Sequence, residues 1–92
     1  MTYHMTHALT QVQAERERQL DEPNAATIEA LASEGEYASA AVTYLTIATN
    51  PRMAGIAAKH GMESDPRKCL VIAAALVIGE MERYARVDEG QA

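Results

Sequence analysis

The sequence predicts an all-α fold, a small bundle of four to five helices around a long C-terminal helix, and three observations carry that expectation. Apolar residues recur at three- and four-residue spacing along several stretches, the repeat of an amphipathic helix. Proline follows a good capping residue in "NP" at Asn50 and "DP" at Asp65, which is how helices start. No run of alternating polar and apolar residues is bracketed by turn residues, so nothing reads as a strand.

Taken in order, Thr6 is expected to cap a first helix, about 7–20, with Leu9, Val12, Arg16 and Gln19 or Leu20 on one face. Pro23 disfavours helix at Glu22 and ends it. Asn24 caps a short helix over 25–33, with Ile28 and Leu31 inward and Gly35 as its stop. A helix over 36–49 follows, carrying Tyr37, Ala40, Ala41, Tyr44, Ile47 and Ala48 on one face. Asn50 and Pro51 open another over 51–60, closed by Gly61.

Asp65 and Pro66 open the last helix, which meets no strong breaker before Asp88–Gly90. It carries two apolar stripes: Leu70, Ala74, Val77, Met81 and Tyr84, and beside them Cys69, Ile72, Ala73, Leu76 and Gly79. Two stripes mean packing on more than one side. Cys69, Ile72, Ala73 and Leu76 are expected either to meet the chain's own helices or to form the contact of a homodimer. Residues 1–92 read as one helical domain, with 1–6 and 88–92 expected to fray.

Composition bounds the function. A chain of 92 residues without Phe or Trp has a core of Ala, Leu, Ile, Val and Met, which fills space only where helices approach closely. The net charge of −5 lies wholly in residues 1–50, where seven acids face two bases. Such a chain is a poor binder of nucleic acid, whose affinity comes largely from Lys and Arg neutralising phosphates. Neither a secretory signal nor a membrane span is expected, because the apolar block 69–78 is half the ~20 residues a span needs. A single cysteine agrees with a reducing cytoplasm.

Candidate chemistry is sparse. "AERERQ" alternates in sign and reads as an ordinary solvated helix face, the alternative being that its arginines meet Glu80 and Glu82 of the last helix in an interhelix ion pair. His4 and His7 lack a third ligand, so no metal is expected. His60 beside Gly61 suits a helix C-terminus. Glu29, Glu34 and Glu36 do not reproduce the Glu-x-x-Glu spacing of helical nucleotide pyrophosphohydrolases. Tyr37 and Tyr44 share a face, either as core rings with wet hydroxyls or as aromatic anchors for a partner. Cys69 reads as a core residue and not a nucleophile, and neither a catalytic triad nor a glycine-rich phosphate loop is present in the sequence.

"VQAERERQLDE" near the start and "DPRKCLVIAAALVIGEMERYAR" near the end together resemble a family of small all-helical proteins encoded by bacteriophages and prophages. Its members open on an Ala-Glu-Arg-x-Arg-Gln helix and close on a helix matched here by Arg67, Leu70, Val71, Ala73, Ala75, Leu76, Glu80, Glu82 and Arg83. The tryptophan-containing segments and the acid–histidine cluster of many members are missing. The resemblance implies a phage-type helical fold and assigns no activity. With the one-sided charge, it leads to the expectation of a cofactor-free, non-enzymatic binding protein. The sharper form is an anti-CRISPR-like inhibitor of a host or defence protein, docking Glu22, Glu29, Glu34 and Glu36 on a basic surface. The alternative is a small-ligand or nucleotide-binding protein, a sponge or a degenerate pyrophosphohydrolase.

Overall fold

The computed structural model describes residues 4–22 and 35–90, and all its regular structure is helical. Four helices follow one another among these residues: α1 (Met5–Leu20), α2 (Glu36–Thr49), α3 (Pro51–Lys59) and α4 (Pro66–Asp88). The short helix expected over 25–33 lies outside the described residues. Both α1 and α2 pack on α4, and α3 packs on α2.

The helix starts follow local chemistry. The Asn50 side chain accepts hydrogen bonds from the backbone N–H of Arg52 and Met53 at 3.0 and 3.3 Å. Asp65 accepts from Arg67 N–H at 3.1 Å, with Pro66 at the first helical position, whose missing N–H costs nothing there. The end of α3 is a Schellman turn: Gly61 takes φ +73°, Gly61 N–H donates to Ala58 O and Met62 N–H to Ala57 O. His60 occupies the C-cap position as expected. Thr6, in contrast, caps nothing. The first helix begins at Met5 without a side-chain cap, and Thr6 sits inside it, its carbonyl accepting from the Thr10 hydroxyl. Gly35, at φ +92°, opens α2.

The inward face of α2 is the one its spacing predicts: Tyr37, Ala41 and Ile47 are buried, with Ala40, Tyr44 and Ala48 beside them half-buried. Ile47, Ala57 and Cys69 form one buried cluster, which Tyr44, Ala48 and Ala54 surround. The expected face of α1 is shifted. Leu9 and Leu20 are exposed, whereas Ala8, Val12, Glu15 and Gln19 turn inward. Arg16 lies at the edge of that face, and only its length lets it reach the interior.

Side chains of two helices close over Gly79 of a third. A Cβ there would stand 3.2 Å from Cζ and Nη1 of Arg16 and 3.2 Å from Cδ2 of Tyr37. The guanidinium of α1 and the ring of α2 therefore occupy the space a side chain on α4 would take. Gly79→Ala gains about 1 kcal/mol of helix propensity and loses a similar amount to crowding. Gly79→Val adds branched bulk and is expected to destabilise the fold by about 1–3 kcal/mol, measured by urea unfolding. An unchanged midpoint for the valine variant would show that this approach does not constrain the fold.

Candidate functional site

Arg16 is 6% exposed, the one buried charged residue among those described. Its Nε donates to Glu82 Oε1 at 2.8 Å, its Nη1 to Gln19 at 3.4 Å, and its Cζ stands 5.0 Å from the centre of the Tyr37 ring. Burial works against the charge on Arg16, but hydrogen bonds to Tyr37 and Glu82 outweigh it, and the pKa is raised. The ion pair between "AERERQ" and the last helix is therefore realised as Arg16–Glu82. Glu80 instead takes Arg83 of its own helix, and Arg83 also lies over the Tyr84 ring, 4.4 Å from its centre.

Arg18 holds the outer side of α1, donating to Glu15 at 2.7 and 2.8 Å and also to Glu22. The hydrogen bond from Arg18 keeps the Glu15 carboxyl below its ordinary value. Glu22, one of the residues expected to form an acidic docking patch, is thus paired with Arg18. Glu36 is exposed in the first turn of α2, and Glu29 and Glu34 lie outside the described residues.

Tyr37 is 4% exposed, so it is a core ring and not a partner anchor. Tyr44 is half-buried and faces a groove of about 1320 Å³. Val12, Ala8 and Glu15 of α1 line one side of this groove, and Leu70, Val71 and Ile72 of α4 line the other. Arg18, Glu63, Arg67 and Lys68 stand around it. The groove thus combines an apolar lining with charges of both signs. Its existence has no signature in the sequence, because it arises where two helices leave space between them.

The self-association stripe is corrected. Cys69 is fully buried and Ala73 is 1% exposed, both covered by the chain's own helices, while Ile72 and Leu76 are half-buried. Small residues are the ones that fit beneath α1 and α2, and the bulkier stripe is left outside: Leu70, Val77, Met81 and Tyr84 are all exposed. The thiol of Cys69 donates to the Glu63 carbonyl at 3.4 Å, and burial pushes its pKa up.

Among the described residues no group of three or more His, Cys, Asp and Glu is placed to hold a metal ion. Likewise, no described helix is long and apolar enough to cross a membrane. No family model, curated protein or solved structure matches the chain. The site is therefore interpreted from its own residues.

Two measurements check this arrangement. Glu82→Ala removes the carboxylate that meets the buried Arg16 guanidinium and is expected to cost about 1–2 kcal/mol by urea unfolding, more than Arg16→Met, which leaves a half-exposed carboxylate that water can solvate. The reverse order would contradict the burial of the guanidinium. At pH 8 a thiol reagent is expected to label Cys69 only as fast as the chain opens, far more slowly than in denaturant. Equal rates in the two conditions would place the thiol at the surface.

Proposed function

We propose that this chain is a non-enzymatic binding protein that takes an apolar segment of a partner protein into the groove between α1 and α4. The groove itself is the observation that carries the proposal. At about 1320 Å³ it is larger than the roughly 300–1,000 Å³ typical of small-ligand sites, and its lining of Ala8, Val12, Leu70, Val71 and Ile72 suits aliphatic side chains. Tyr44 gives it an aromatic wall, of the residue type that concentrates binding energy at protein interfaces. An amphipathic helix laid in such a groove would set its apolar face inward and its charges against Glu15, Glu63, Arg67 and Lys68.

Charge shapes the choice of partner. The excess of five negative charges favours encounter with a basic protein, mainly through the association rate. The resemblance to phage-encoded proteins extends the proposal to an inhibitor of a host or defence protein, acting in the cytoplasm.

The small-ligand reading has one feature in its favour, the cations Arg18, Arg67 and Lys68 around the groove, which suit a phosphate. Thermal unfolding with nucleotides, with and without magnesium, separates the two readings. A nucleotide at a hundred times its dissociation constant adds about 2.7 kcal/mol. Under the protein-binding reading no member of the panel shifts the transition.

Val12→Lys, which puts a charge on the groove wall, tests the proposal directly. A partner retained from a host lysate by the unaltered chain is expected to be lost from this variant, and to be held less well as salt rises. Retention indifferent to both changes would remove the groove as the binding site.

A further inference from the structure

We infer that the outward face of α4 is the interface of a homodimer, in which two copies of this helix pack antiparallel about a two-fold axis beside Val77. The face is apolar and open: Leu70 is 50% exposed, Val77 45%, Met81 64% and Tyr84 57%. With Ala74 these residues follow one another at alternating steps of four and three, and Asp88 continues the series. That 3.5-residue repeat is the one that keeps a stripe facing a neighbouring helix over its whole length. On α4 it runs along the side opposite Gly79 and the α1–α2 packing.

A second copy is the occupant because the stripe complements its own reversal. With Val77 on the axis, Leu70 lies opposite Tyr84, and the small Ala74 lies opposite the long, adaptable Met81. Arg67, on the shoulder of the stripe at one end, lies opposite Asp88 at the other. The two-fold makes each of these contacts twice. A parallel pair would set Ala74 on Ala74, leaving a gap beside Met81 on Met81, and would bring Arg67 against Arg67 and Asp88 against Asp88. Two helices of 23 residues, each about 35 Å long, form an interface near the lower end of the stable range, about 1,200 Å² in total. Association in the micromolar range follows.

This face shares Arg67 and Leu70 with the α1–α4 groove, while Ala74, Val77, Met81, Tyr84 and Asp88 lie outside the groove lining. Sedimentation equilibrium of the full chain from about 1 to about 500 μM is expected to show a monomer passing into a dimer. Val77→Lys sets like charges face to face on the axis and is expected to abolish the dimer while leaving the helical circular dichroism unchanged. Arg67→Glu and Asp88→Lys are each expected to weaken it about tenfold, and the two together to restore it. A strict monomer across the range overturns the inference, as does a dimer untouched by Val77→Lys. Failure of the double exchange to restore association overturns the antiparallel register.

Discussion

The absence of a side chain at Gly79 is the constraint on which the arrangement of helices depends. It lets Arg16 of α1 and Tyr37 of α2 come within 3.2 Å of where a Cβ would stand, so three helices meet at one level. The guanidinium then serves as a filler as well as a charge. Its face covers an aromatic ring, and its edge bonds Glu82, which remains partly in water. A buried arginine is costly unless such partners surround it, and here α1, α2 and α4 each supply part of the surrounding.

Small residues govern the rest of α4 in the same way. Cys69, Ala73, Ala75 and Gly79 are the residues it buries, and none is large. Helices that approach over small side chains gain dense packing, while Leu70, Val77, Met81 and Tyr84 remain outside. The usual relation between size and burial is inverted on this helix, and the result is an apolar surface on a chain without Phe or Trp. Exposed apolar residues arranged as a continuous stripe are a feature of association surfaces, whereas scattered ones are ordinary.

The groove lies along α1 from Ala8 to Arg18. Close approach is set where Arg16 meets Gly79, and the space beside Val12, Tyr44 and Leu70 is left open. Arg18 is clamped by Glu15 and Glu22, so Glu15, one of the two acids lining the groove, is already paired with a base. Under the proposed binding role, attraction to a basic partner would draw on the chain's overall charge imbalance.

The beginnings of α3 and α4 were legible in the sequence because capping is local, whereas the cap expected at Thr6 was not realised. Asn50–Pro51 and Asp65–Pro66 satisfy orphan N–H groups within three residues, and Gly61 supplies a left-handed turn that other residues resist. The buried face of α2 was legible too, since Tyr37, Ala41, Tyr44 and Ile47 repeat at helical spacing. The shifted face of α1 was not, because Leu9 is more apolar than Glu15 and yet lies farther out. On α4 the sequence marked two apolar stripes and pointed to Cys69, Ile72, Ala73 and Leu76 as the possible association face. Tertiary structure decided that the small-residue stripe goes inside, because close helix approach excludes bulk. It also turned Tyr37 from a possible anchor into a core ring and joined Arg16 to Glu82 across 66 positions. Hydrophobicity set which residues favour burial, and the depth of the space between helices chose among them.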